Sequence, residues 1–272
     1  MSLRVIVSAS SDIGLSLCKD WTSKKFNVIG TFRRRPSENF PPNFKAVKCD
    51  LSIRRSRLRA ISKLRNLIGS RRWDVLVLAS GTTNPIGQFS SSMWEDWVYS
   101  MDVNFLGQVH ILHDLMNQAN DGAQVIFFAG GGTNGVVNNY SAYTVAKIAS
   151  IKLCELLASE FQNLKFTSIG PGWVKTKIHQ ETIEAGPAAG EGLLKTKVRL
   201  ENDDFFPITE VIDRVNWIVS QPPEVVSGRN FSAVDDPIYN EGFIQWLKED
   251  SERLKLRRFG NNQPKIVISP KA

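Results

Sequence analysis

The run Val75-Leu76-Val77-Leu78 is apolar at every position. A strand with one wet face alternates polar and apolar residues, so a run without alternation belongs to a strand covered on both sides. The arrangement that covers both faces is a parallel sheet with crossover helices packed above and below it. The same element recurs along the chain. Short apolar or β-branched runs at residues 4–7, 27–31, 45–49, 74–78, 124–128, 165–169 and 230–234 alternate with longer stretches of helical character. Ile53, Ile61, Leu64 and Ile68 follow a helical stripe interrupted by Arg57. Residues 94–118 and 139–161 read as two further helices. This pattern predicts an α/β fold: a doubly wound, mostly parallel sheet of about seven strands with helices on both faces. Its ligand site would lie outside the carboxyl ends of the strands. No linker interrupts the pattern, so residues 1–252 are expected to form one domain, followed by a basic tail at 253–272.

Charge and cysteine content narrow the function classes. The net charge of +7 is uneven. Residues 33–72 hold thirteen Lys and Arg against Glu38 and Asp50, and residues 253–272 hold six basic residues and no acid. Such blocks can attract nucleic acid, but no aromatic residue interleaves the 54–65 run and no nucleic-acid module is recognisable. A solvated helix face and a basic tail are the expected reading. No apolar run is long enough to span a bilayer, and the first residues run straight into a strand, so a cytoplasmic, soluble protein is expected. Cys18, Cys49 and Cys154 are odd in number and set in apolar surroundings, which suits reduced core thiols. His110, His113 and His179 complete no metal-ligand pattern.

Two segments have the chemistry of a site. Tyr143 and Lys147 are four residues apart on a predicted helix and share a face. A cation near a phenol is expected to lower its pKa and fit it for proton transfer. After the first strand comes Ser8-Ala9-Ser10-Ser11-Asp12-Ile13-Gly14, a compact turn of small residues leading into a helix. In dinucleotide-binding folds this turn is glycine-rich and meets the pyrophosphate. Only Gly14 survives of three expected glycines; Ser8 and Asp12 take the other two places.

This turn resembles the cofactor turn of the single-domain short-chain dehydrogenase/reductase family, and four further segments follow in that family's order. Cys49-Asp50-Leu51 resembles the pair that meets adenine. Leu78-Ala79-Ser80-Gly81 resembles the segment after the fourth strand. Asn104, within Asp102-Val103-Asn104-Phe105-Leu106-Gly107, resembles the helix Asn of the catalytic group. Pro171-Gly172-Trp173-Val174-Lys175-Thr176 is similar to the segment beside the nicotinamide. The resemblance implies a Rossmann fold, NAD(P)-dependent oxidoreduction, and a cofactor site of Ser8, Ser10, Ser11, Asp12, Ile13, Gly14, Asp50, Leu51, Ser80, Gly81, Tyr143, Lys147, Pro171, Gly172, Val174 and Thr176. It also implies a homodimer or homotetramer built through the 94–118 and 139–161 helices.

The second strand ends in Phe32-Arg33-Arg34-Arg35 with no acid before Glu38. An acid there would bind the adenosine ribose, whereas Arg suits a 2′-phosphate. NADP(H) is therefore expected, held by Arg33 and Arg34. The resemblance assigns Tyr143 as general acid/base, Lys147 to the nicotinamide ribose and Asn104 to a proton path through a water. The family's catalytic Ser is absent: its place falls at Ala129 or Gly130. Thr133, with Ser141 as a second candidate, is expected to supply the missing hydroxyl. Residues 173–200 would form the substrate loop; its few large apolar groups favour a polar substrate, a sugar or nucleotide-sugar. Lys175 and His179 are candidates for touching an anionic one. Parts of the wording are also similar to family members associated with surface-polysaccharide biosynthesis. The alternative is an NADP-binding regulator or scaffold that kept the fold and lost catalysis.

Overall fold

All five residues of β1 (Leu3–Val7) are buried, as a strand covered on both faces requires. In the computed structural model, which describes residues 2–34 and 40–257, the chain continues through α1 (Asp12–Ser23), β2 (Asn27–Phe32), β3 (Lys45–Lys48), α2 (Arg54–Ile68) and β4 (Trp73–Leu78). Then come α3 (Trp94–Met101), α4 (Gly107–Leu115), β5 (Ala119–Phe128), α5 (Ser141–Glu160) and β6 (Lys165–Gly170). After these come α6 (Ile178–Ala185), α7 (Glu191–Glu201), α8 (Ile208–Ser220), α9 (Pro223–Val226), β7 (Arg229–Ser232) and α10 (Glu241–Glu249). The seven strands form one sheet of order β3-β2-β1-β4-β5-β6-β7, with every neighbouring pair parallel. All seven expected strands are present. Arg35 and Glu38, and the tail from residue 258 onward, lie outside the described residues.

The period of two in β1 divides the core. Val5 and Val7 pack with Leu64, Ile68 and Leu115 on one face of the sheet, and Ile6 packs with Leu17, Trp21 and Val215 on the other. Each of these fully buried side chains contributes roughly 1.5–3 kcal/mol relative to exposure. Two members of the basic block of α2 are occupied within the fold, while Arg54, Arg55, Arg59 and Lys63 are exposed. Arg57 donates to the Leu51 carbonyl and to His110 Nδ1, and Arg65 donates to the Asp114 carbonyl at 2.6 Å. At the other end, residues 253–257 do not form a free tail. Asn230 N–H donates to the Leu254 carbonyl at 2.8 Å, and Arg257 pairs with Glu155 at 2.7 Å.

The single helix expected over residues 94–118 is four pieces. α3 runs into a π-helical segment (Asp102–Leu106) before α4, and the last turn is 3-10 (Met116–Gln118). A π turn takes in one extra residue and disturbs the i→i−4 ladder, so nearby carbonyls need other partners. Gln108 supplies them. Its buried amide donates to the Val103 carbonyl at 3.1 Å and the Asn104 carbonyl at 2.8 Å, while its Oε1 accepts from the Ser80 N–H at 3.3 Å. One side chain thus joins the π segment to the turn after β4. Replacing it by leucine strips partners from buried backbone groups, each worth about 1–3 kcal/mol. Gln108→Leu is expected to lower the stability by roughly 2–4 kcal/mol in urea denaturation; a change below half a kcal/mol would contradict this role.

Candidate active site

A cleft of about 1430 Å³ opens beyond the carboxyl ends of the strands, where the first turn, the ends of β4, β5 and β6, and the lid formed by α6 and α7 face one another. Ser8, Ser10, Ser11, Asp12 and Ile13 line it, as do Asp50, Leu51, Ser80, Gly81, Pro171, Gly172, Val174 and Thr176. Gly14 lies just behind the lining.

The first turn keeps its backbone shape although two glycines are gone. Ser8 adopts φ 66°, the left-handed conformation that glycine takes without strain. Its N–H donates to Thr31 Oγ1 at 2.9 Å, and Ala9 N–H donates to the Thr31 carbonyl at 2.7 Å. Gly14 is required for close approach: a Cβ there would lie 2.5 Å from the Ser8 carbonyl oxygen. The Ser11 hydroxyl is used as the N-cap of α1, accepting from Gly14 N–H at 3.1 Å. Asp12 would set a negative charge against a pyrophosphate, but its carboxylate turns to the lid. It accepts from Lys177 N–H at 2.8 Å and pairs with the Lys177 ammonium at 3.5 Å. In backbone conformation, the turn fits a dinucleotide pyrophosphate at the N-terminus of α1. Arg33 stands at the rim of the cleft, exposed, and donates to the Tyr99 hydroxyl; Arg34 is exposed and does not line the cleft.

Tyr143 and Lys147 lie on successive turns of α5, both facing the cleft. The Lys147 ammonium is buried, 4% exposed, and donates to the Phe128 carbonyl at 3.0 Å and the Ser80 carbonyl at 3.2 Å. It sits 5.7 Å from the centre of the Tyr143 ring. Burial pulls its pKa down to about 8. The Tyr143 phenol moves the other way from the sequence expectation. Burial first, and then the nearby Glu181 carboxylate, push it up to about 12. The neighbouring cation gives its hydrogen bonds to the two carbonyls and not to the phenol.

Asn104 is buried away from the cleft. Its side chain takes the Thr82 N–H at 3.0 Å and donates to the Thr82 carbonyl at 2.9 Å and to Ser100 Oγ at 3.0 Å. It therefore fixes Thr82 from both sides. Thr133 does not line the cleft; its hydroxyl lies 3.5 Å from the Gly130 carbonyl. Ser141 does line it, and its Oγ accepts from the Trp97 indole at 3.3 Å. The place of the absent Ser is filled instead. A Cβ on Gly130 would collide with the Tyr143 hydroxyl and lie 2.7 Å from its Cζ, so the phenol occupies the space that a side chain there would need.

Sequence reading passed over Glu181 of α6. Its carboxylate accepts from both the N–H and the hydroxyl of Thr83, at 2.5 and 2.7 Å, and from the Thr82 hydroxyl at 3.0 Å. Thr82 and Thr83 lie some 98 residues earlier in the chain, so no local pattern announces the contact. Of the two substrate-loop residues singled out earlier, His179 lines the cleft and Lys175 does not. Lys175 pairs with Asp203 at 2.6 Å outside the cleft. His179 stacks on Trp173 with ring centres 4.5 Å apart, and its Nε2 meets the Val174 carbonyl at 2.8 Å. The contact between Gly130 and Tyr143 is open to a double-mutant cycle. Gly130→Ala is expected to cost about 1–3 kcal/mol in the native background and clearly less beside Tyr143→Ala. Additive costs in denaturant melts would contradict it.

Comparison with known proteins agrees with this architecture. The chain is 25% identical over 247 residues to farnesol dehydrogenase of Aedes aegypti, covering 81% of this chain and 91% of that one. Its fold is similar to a short-chain dehydrogenase/reductase of Saccharomyces cerevisiae (TM-score 0.76, 19% identity, 88% of this chain and 98% of that one). It is also similar to the ligand-free aldohexose dehydrogenase of Thermoplasma acidophilum (TM-score 0.72, 18% identity, 85% and 91%). Residues 12–233 match the family model described as enoyl-(acyl carrier protein) reductase. The chain belongs to the short-chain dehydrogenase/reductase family of NAD(P)-binding oxidoreductases.

Proposed function

We propose that the chain is an NADP-dependent oxidoreductase interconverting a carbonyl and an alcohol on a polar substrate, a sugar or nucleotide-sugar among them. The observation that supports this best is the Tyr143–Lys147 pair, desolvated on one face of α5 at the floor of a cleft whose first turn fits a pyrophosphate. NADP(H), when bound, supplies or accepts the hydride. Arg33, at the rim, would bind the 2′-phosphate, with Arg34 as an outer partner. The Ser8–Gly14 turn would hold the pyrophosphate, and Asp50 and Leu51 the adenine. Ser80, Gly81, Pro171, Gly172, Val174 and Thr176 would border the nicotinamide end. Lys147, fixed between two carbonyls, would hold the nicotinamide ribose. Residues 1–252 would act as one unit, cytoplasmic and homo-oligomeric through α3, α4 and α5.

Tyr143 would donate its proton to the substrate oxygen in the reductive direction. A phenol held near 12 stays protonated across neutral pH, which suits a general acid. With Ala129 and Gly130 lacking hydroxyls, Tyr143 itself is the donor to the reacting oxygen, brought closer to β5 by the missing Cβ at Gly130. Asn104 and Ser100 position the Thr82 backbone beneath it.

The second reading is a cofactor-binding regulator without catalysis, favoured by the loss of the Ser hydroxyl. Losing one donor to a developing oxyanion costs about 3–4 kcal/mol. Turnover of a panel of keto-sugars separates the two. In the native protein, reductive kcat/KM is expected to fall as pH rises through about 8, where Lys147 loses its proton. Tyr143→Phe is expected to lower kcat about a thousandfold or more, and Thr133→Ala to leave it within about twofold, its hydroxyl lying outside the cleft. Turnover surviving Tyr143→Phe, or absent from the native protein with every keto-sugar, would overturn the oxidoreductase reading.

A further inference from the structure

Two lid carboxylates line the cleft. Glu191 pairs with Lys195 at 3.2 Å, whereas Glu181 takes part in no ion pair among the described residues. Neutral donors alone hold it, and they do so unevenly. Oε2 receives the Thr83 N–H, the Thr83 hydroxyl and the Thr82 hydroxyl, at 2.5, 2.7 and 3.0 Å. Oε1 has only the Thr82 hydroxyl, at 3.0 Å, and that group has one proton to share between both oxygens. A carboxylate oxygen has two acceptor directions, so Oε1 keeps capacity to spare. Glu181 and Tyr143 line the same cleft, and the carboxylate adds to the upward push on the phenol. α6 is anchored beside this carboxylate, where the adjacent Thr182 is buried and its hydroxyl lies 3.1 Å from the Tyr140 hydroxyl.

We propose that Glu181 selects substrates with a hydroxyl or a protonated amine on a carbon beside the reacting one, Oε1 accepting that hydrogen bond while Tyr143 holds the reacting oxygen. This rests on the oxidoreductase reading and gives it a substrate class: polyols, hydroxy-carbonyls and amino alcohols over simple alcohols and ketones. A half-buried carboxylate with an unfilled acceptor disfavours a ligand that brings no donor, and sites built this way discriminate strongly against analogues lacking the group.

Binding of propane-1,2-diol, 1-aminopropan-2-ol and propan-2-ol to the NADP-loaded protein tests this by titration calorimetry. The native protein is expected to prefer the diol, the amino alcohol or both over propan-2-ol. In Glu181→Gln that preference ratio is expected to fall by about tenfold or more. A fall confined to one arm identifies the donor as hydroxyl or ammonium. Thr83→Val, which weakens the lid contact and keeps the carboxylate, is expected to retain the preference. No preference in the native protein, equal weakening of all three ligands by Glu181→Gln, or a collapse in Thr83→Val as large as in Glu181→Gln would overturn the proposal. Failure of the oxidoreductase reading shows separately, as binding without turnover.

Discussion

The Lys147 ammonium, held between the Phe128 and Ser80 carbonyls, is the contact on which the site depends. It ties α5 to the ends of two neighbouring central strands, β4 and β5. A buried ammonium is stable only when its protons are satisfied. These two carbonyls therefore fix the rotation of α5, and with it the direction in which Tyr143 points. The same turn after β4 is held from behind by Gln108 and, two residues on, by the Asn104 amide. The π segment, the β4 turn and α5 thus form one hydrogen-bonded frame around the cleft.

The electrostatics of that frame are set by loss of water more than by the neighbouring charge. Burial moves both groups of the pair towards their neutral forms, the phenol upward and the ammonium downward. Glu181 reinforces the effect on the phenol from the lid side. The result is a floor on which a proton stays on Tyr143 and is held less tightly on Lys147. Gly130 completes it sterically, since the missing Cβ lets the phenol lie against β5. The absence of a hydroxyl in this segment and the position of Tyr143 are then one feature.

Much of the fold was legible because burial on both faces leaves a mark in the residues themselves. Val75 to Leu78 has no alternation, and the structure places it and the other runs singled out in the sequence in strands. The cleft-lining turn and the Tyr143–Lys147 spacing were legible for a similar reason, as short local patterns in a fixed order. What escaped depends on contacts between distant segments. The π segment has no local signature; its carbonyls are met by a glutamine side chain reaching back from α4, which also holds the distant Ser80 N–H. Glu181 looked like one acid among several in a charged lid, because its partners Thr82 and Thr83 lie far back in the chain. Thr133 is near in sequence and yet turned from the cleft, and Lys175 is drawn off by Asp203. Proximity in sequence could not reveal either direction.

Following deuterium tests the central claim most directly, that the Tyr143–Lys147 pair serves NADPH-dependent carbonyl reduction. The protein would be given NADPH or NADH labelled at nicotinamide C4 together with hydroxy-carbonyl substrates, and the product alcohol examined by mass spectrometry. The account expects label on the carbinol carbon, faster from NADPH than from NADH, and lost in Tyr143→Phe. Unlabelled product, equal or better use of NADH, or labelling that persists without the phenol would contradict it.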